Sequence, residues 1–201
     1  MGASEPGLDH ERSQARARWT RREVLQAWWV LPVAGTAGFF GWLGLRATRI
    51  LFLKRDPGAA QWTPGAARGV ANVRDFNADW AIKSFTYAGA PGLVMRTPSL
   101  QPGGLSTPDG RHFLALSRVC THLGCLVQFQ PDSEATWVTF NYRPDPPGPV
   151  LACACHNSAF DPARAGRSVA GPAIAPLPRF RLQERGGQLL VSGVERTCGA
   201  F

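Results

Sequence analysis

The apolar positions divide the chain into two unlike parts. From 24 to 45 runs VLQAWWVLPVAGTAGFFGWLGL, 22 residues without a charge. A helix rising about 1.5 Å per residue would span roughly 33 Å over that length, enough for a hydrocarbon core of about 30 Å. A buried soluble helix usually keeps a polar stripe, whereas only Gln26 and Thr36 interrupt this run. Trp28, Trp29 and Trp42 stand toward its ends, where indole rings favour the membrane interface. The pattern predicts one transmembrane anchor over 24–45. Gly35, Gly38, Gly41 and Gly44 recur every third residue. They form either a small-residue face for a neighbouring helix or a simple dilution of hydrophobicity.

Beyond the anchor the period changes. Short β-like runs are predicted over 70–73, 81–87, 93–96, 112–117, 126–130, 136–142, 150–152, 179–183 and 188–192. Turn residues (APG, TPDG, RPDPPG, ERGG) separate them, and no long amphipathic helix competes. The expected fold class is all-β, an antiparallel β-sheet domain preceded by one transmembrane helix. DPGAAQWTPGAAR at 56–68 lacks core formers and reads as a tether. The expected organisation is an N-terminal segment over 1–23, the anchor over 24–45, a tether or hinge over 46–68, the β domain over 69–194 and a tail over 195–201. Within the β domain, PDSEATWVTFNYRPDPPGP at 131–149 looks like an inserted hairpin, with Arg143 a solvated charge.

Charge adds an address rather than a nucleic-acid partner. The formal net charge is +8, but residues 1–55 carry nine Lys/Arg against four Asp/Glu, and the remainder thirteen against ten. The excess flanks the anchor and leaves the body nearly balanced, which argues against nucleic-acid binding. Arg21-Arg22 in TRREVLQ precede the apolar run and resemble a twin-arginine export signal, a route for folded proteins. Without a convincing small-residue cleavage site, the expectation is an uncleaved anchor in a bacterial cytoplasmic membrane, with the body outside. Charge asymmetry alone does not set this orientation, because Arg46, Arg49, Lys54 and Arg55 follow the span.

Candidate chemistry is concentrated in two stretches, CTHLGC at 120–125 and CACHNSAFD at 153–161, which hold four of the five cysteines and two of the four histidines. Each follows a predicted strand. One Cys and one His from each would make a Cys2His2 set. In a zinc site that is a closed tetrahedron, with two cysteines unexplained. In a two-iron cluster two Cys hold one iron and two His the other, leaving one cysteine per loop free to join the loops.

CTHLGC followed by C-x-C-H-x-S resembles the signature loops of Rieske iron–sulfur proteins, and among them the quinol-oxidising kind of cytochrome bc and b6f complexes. The anchor, the tether and the β pattern agree. The resemblance implies one [2Fe-2S] cluster per chain, with Cys120 and Cys153 on the inner iron and His122 and His156 on the outer one. It implies a Cys125–Cys155 disulfide, which persists in an oxidising compartment. It assigns proton-coupled electron transfer from a quinol to His156 and His122, and makes cytochrome b and a c-type cytochrome the partners. GPAIAPLP at 171–178 resembles the proline loop that covers the cluster, and Leu123 would supply an apolar tip. Ser158 matches a serine that donates to a bridging sulfide. Phe160 stands where many high-potential members have a tyrosine donor, so the expected potential is lower and suits a quinol such as menaquinol. Two rivals remain at this point: the small Rieske subunit of an arsenite oxidase-like molybdenum enzyme, and a structural zinc module. Cys198 lies outside the motif and reads as a bystander thiol.

Overall fold

The computed structural model describes residues 20–196; Cys198 and the first nineteen positions lie outside the described residues. Two compact units are present, one ending at Gly44 and the other starting at Leu45. The first contains α1 (Arg21–Ala27) and the start of α2 (Val30–Phe52), whose residues from Leu45 on belong to the second. Thr20 caps α1. Its hydroxyl accepts from the Glu23 amide and the Glu23 carboxylate accepts from the Thr20 amide, so the arginine pair sits inside a capping box. The helix is interrupted at Trp28-Trp29 because Pro32 has no N–H to donate to the Trp28 carbonyl. The ladder resumes where the Val33 amide meets the Trp29 carbonyl at 3.2 Å. The Thr36 hydroxyl donates to the Pro32 carbonyl at 2.8 Å, which satisfies it without water. This helical run, Arg21–Arg49, could span a membrane by length and composition. Helix continues past the expected end at 45, through Arg46 and Arg49, since terminal charges do not break backbone bonding.

The second unit is built of β1 (Trp62–Asn72), β2 (Ile82–Tyr87), β3 (Ala90–Thr97), β4 (Leu105–Ser106), β5 (His112–Ser117), β6 (Gln128–Gln130), α3 (Ser133–Phe140), β7 (Val150–Cys153), β8 (Ser158–Asp161), β9 (Arg167–Ala170), β10 (Phe180–Arg185) and β11 (Gln188–Glu195). They form three antiparallel sheets, ordered β1-β11-β10, β2-β3-β5-β4 and β6-β7-β8-β9. The central sheet explains the near-continuous apolar runs. Leu93, Met95, Leu114 and Leu116 face one core, while Val94, Phe113 and Ala115 face another. Period-two alternation thus buries both faces. The first core reaches Cys120, Cys153 and Phe160; the second holds edge-on aromatic pairs, Phe76 with Phe113 at 5.2 Å and Phe85 with Phe180 at 5.0 Å.

Three expectations need correction. The run at 136–142 is not a strand, nor is 131–149 a hairpin: Ser133–Phe140 is helical. The Asp132 carboxylate accepts from the Glu134 and Ala135 amides at its start, and Asn141 closes it in the left-handed conformation. These local caps override the β-branched residues. Arg143 is more than a solvated charge: it bonds to Glu134 at 2.9 Å and lies 5.4 Å over the Trp137 ring. Finally, 62–68 belongs to strand β1 rather than to a tether. Pro64 is tolerated there because β1 is an edge strand, with a register shift between Pro64 and Arg68. The short strands β4, β8 and β9 had no counterpart among the expected runs.

Candidate metal centre

The two Cys/His loops sit at one end of the sheet that contains β7 and β8, and they are built differently. Cys153 closes β7 and pairs with Ser158, which opens β8. Residues 154–157 are therefore the tip of a hairpin, completed by Asn157 in the left-handed conformation with φ 54°. The other loop is a turn between Val119 and Leu126, which form an isolated bridge. Within it the Cys120 amide donates to the Cys125 carbonyl at 2.7 Å and the Gly124 amide to the Cys120 carbonyl at 2.9 Å. Gly124 takes φ 79°, a turn that glycine reaches without steric cost.

All six motif residues converge. Cys125 and Cys155 form a disulfide across the loops, as the resemblance implied. Cys120 and Cys153 are buried free thiols. The sulfur of Cys153 also lies within 4.8 Å of both disulfide sulfurs, but those two are committed to each other. The thiol left to pair with Cys153 is Cys120. The imidazoles of His122 and His156 stand edge to face with centroids 4.9 Å apart, His122 half-buried and His156 exposed. The site is therefore graded, with the two free thiols buried, His122 half-buried, and His156 and the disulfide's Cys155 exposed.

Electrostatics follow that division. Burial, followed by the proximity of Cys153, pushes the Cys120 thiol above its ordinary pKa, against the His122 and Leu123 amides, which lower it. Burial, and then the charge of His156, pushes His122 down. A metal must displace the thiol protons, and it finds an imidazole already biased toward its neutral form. His122 Nδ1 is buried without a hydrogen-bond partner. Such an orphaned acceptor or donor is costly unless something binds it. Ser158 is fully buried; its oxygen accepts from the Ala173 amide at 3.1 Å, so its own hydrogen remains to be donated. These residues fit an iron–sulfur cluster.

The loop at 171–178 lies against both Cys/His loops. Thr121 donates to the Ala175 carbonyl at 2.7 Å, and Ser168 to the Ala173 carbonyl at 2.6 Å. Gly171 has φ 73°, and a Cβ there would collide with the Asn157 carbonyl. Leu123 is 68% exposed and Leu126 56%, forming an apolar collar near His122. Phe160 is fully buried in the same core as the two thiols. Sequence reasoning missed Thr121, and it named Gly171 only as the start of the covering loop, without its close approach to Asn157. Nothing marks a threonine between two ligands, but a glycine heading a proline-rich run could have been read as a tight backbone approach.

An all-β domain presenting two thiols and two imidazoles on disulfide-linked loops belongs to the class of iron–sulfur electron-transfer domains. More narrowly, the chain belongs to the Rieske [2Fe-2S] domain family, whose model matches residues 68–181. Among curated proteins it is similar to the cytochrome b6-f complex iron-sulfur subunit of Chlorobaculum tepidum, 29% identical over 83 residues, covering 41% of this chain and 36% of that one. It is also similar to the putative respiratory nitrate reductase subunit Rieske of Haloferax mediterranei, 30% identical over 82 residues, covering 40% and 30%. The matches thus span about a third of each relative. Among solved structures, the Rieske protein PetC3 of Synechocystis PCC 6803 aligns at 24% identity and TM-score 0.41, covering 62% of this chain and 98% of that one. Rieske protein II (soxF) of Sulfolobus acidocaldarius aligns at 22% and 0.47, covering 65% and 78%. The family binds a [2Fe-2S] cluster, which sets aside the structural zinc module.

Proposed function

We propose that this chain is the membrane-anchored redox subunit of a bc-type complex, taking electrons from a quinol and passing them to a c-type cytochrome. Cys120 and Cys153 would hold the buried iron, and His122 and His156 the iron nearer solvent. The cluster supplies one-electron acceptance. The chain supplies the rest: Leu123 and Leu126 offer apolar surface to a quinol ring, and an imidazole nitrogen of His156 accepts the hydroxyl proton. Burial of the Cys120 and Cys153 side chains keeps water from the inner side. The observation that carries this reading is the burial order at the loop tips, which buries the Cys120 and Cys153 thiols and leaves His156, Leu123 and Leu126 exposed to solvent. The apolar run at Arg21–Arg49 supports a membrane anchor; in this reading it lies beside cytochrome b, with the head on the extracytoplasmic side.

The 30% identity to the nitrate reductase Rieske subunit favours a second reading of the same class, a small subunit feeding a different oxidoreductase, such as an arsenite oxidase-like molybdenum enzyme. One experiment tests both. Dithionite-reduced membranes from cells expressing the tagged chain should give a Rieske-type EPR signal, and a b-type cytochrome should co-purify. A molybdenum subunit in its place would select the second reading. A colourless, EPR-silent protein would sink both.

A further inference from the structure

Residues 54–58 were expected to be part of a loose tether, yet Lys54 and Arg55 are fastened to the loop over the candidate cluster site, and Asp56 and Gly58 to the residues on either side of it. The Lys54 ammonium donates to the Gly171 carbonyl and, at 2.7 Å, to the Ala173 carbonyl. The Arg55 amide donates to the Ile174 carbonyl at 3.0 Å. Asp56 lies 2.9 Å from Arg167 Nε, an ion pair rather than a directed hydrogen bond. The Gly58 carbonyl accepts from Arg179 Nη2 at 2.8 Å, and Arg179 is itself buried and paired with Glu195. Attachments at four of these five residues, Lys54, Arg55, Asp56 and Gly58, make an ordered strap. Entropy alone would not hold a tether there, since fixing each residue's backbone costs about 1–2 kcal/mol.

The chemistry of the strap lies in where Lys54 grips. Ala173, whose carbonyl Lys54 shares with the Ser168 hydroxyl, uses its amide to donate to Ser158 Oγ, the hydroxyl with a hydrogen left to give. Gly171 approaches the Asn157 backbone at the tip of the Cys155–His156 hairpin so closely that a Cβ would collide with the Asn157 carbonyl. Resting on the reading that the pocket holds the cluster, we infer that Lys54 is a positioning residue. It fixes the 171–173 backbone, and through Ala173 it sets the orientation of the Ser158 hydroxyl toward the cluster. A charge-assisted donor gripping two carbonyls is stronger than a neutral one. Hydrogen bonds reaching cluster sulfur favour the reduced state, so loosening this grip lowers the potential.

The test uses the full chain in detergent, with Lys54→Met removing the donor and Lys54→Arg restoring it. The expected result is a lower midpoint potential in Lys54→Met by EPR-monitored titration, recovery in Lys54→Arg, and a shift at least halved when Ser158→Ala is already present. An unchanged potential, or an equal shift in the Ser158→Ala background, overturns the positioning role. Amide hydrogen exchange needs no cluster and reads the strap directly. The Arg55 and Ala173 amides should exchange slowly in the wild type and at least tenfold faster in Lys54→Met; fast exchange at Arg55 in the wild type overturns the strap. A wild-type sample without a Rieske signal would count against the cluster reading alone, since the exchange result still decides whether the strap exists.

Discussion

The two Cys/His loops carry the same residue types, yet they are held by different means. The 154–157 tip is carried by a β7–β8 hairpin, whose ladder pairs Leu151 with Phe160, Ala152 with Ala159 and Cys153 with Ser158. The 120–125 turn has one flanking bridge, one further backbone bond from Gly124 to Cys120, the Thr121 hydroxyl and the disulfide that it shares with the other loop. One loop inherits its rigidity from a sheet, while the other is assembled from single contacts. A site that must hold four ligands in fixed geometry therefore depends most on the cross-links of its weaker half.

The largest effect should come from cutting the disulfide. It closes a loop with a sequence separation of 30. Chain-entropy arguments give about 3–4 kcal/mol for such a closure. A Cys125→Ser/Cys155→Ser chain should lose most of its EPR-detectable cluster per protein. Its amide exchange should quicken strongly over 120–126 and only slightly over 152–160. Equal quickening in both segments would mean that the hairpin offers no independent support, and the contrast between the loops would collapse.

A smaller effect belongs to the hairpin side. Ser158 and Phe160 lie two residues apart on β8, both fully buried, one with a hydroxyl and the other without. Phe160→Tyr should raise the midpoint potential by roughly 40 mV, the one-electron equivalent of about 1 kcal/mol for a net hydrogen bond. Protein-film voltammetry reads this directly, and an unchanged or lower value rejects Phe160 as the tuning position.

The difference between the loops also marks what could be read in the sequence. Cysteine and histidine announce their chemistry by type and spacing, so all six motif residues were legible as a group, while the pairing of Cys125 with Cys155, which the structure shows, came only from the family resemblance. Strands buried on both faces, such as β3 and β5, were legible as apolar runs. What escaped was set by single local or distant contacts. Thr136, Trp137 and Val138 favour strand, but Asp132 and Asn141 decide for helix from either end. SAFD at 158–161 does not alternate, because both faces of β8 are buried. Lys54 grips Ala173 from 119 residues away, a contact that no local pattern encodes.

The most delicate test of the contrast is Thr121→Val, which keeps the side-chain shape and removes one donor. Thr121 ties the 120–125 turn to the Ala175 carbonyl at 2.7 Å. Losing it leaves that carbonyl in a half-buried setting and should cost about 1 kcal/mol. The expected outcome is local: amides over 120–126 exchange roughly fivefold faster, while those over 152–160 and the midpoint potential stay as they were. The reason is the hairpin ladder, which keeps Cys153, His156 and Ser158 in place without help from Thr121. Acceleration on both sides would show that the 171–178 loop, which touches Thr121 and Ser158 alike, couples the two halves into one unit. The disulfide would then be a redundant link between parts already joined by the covering loop.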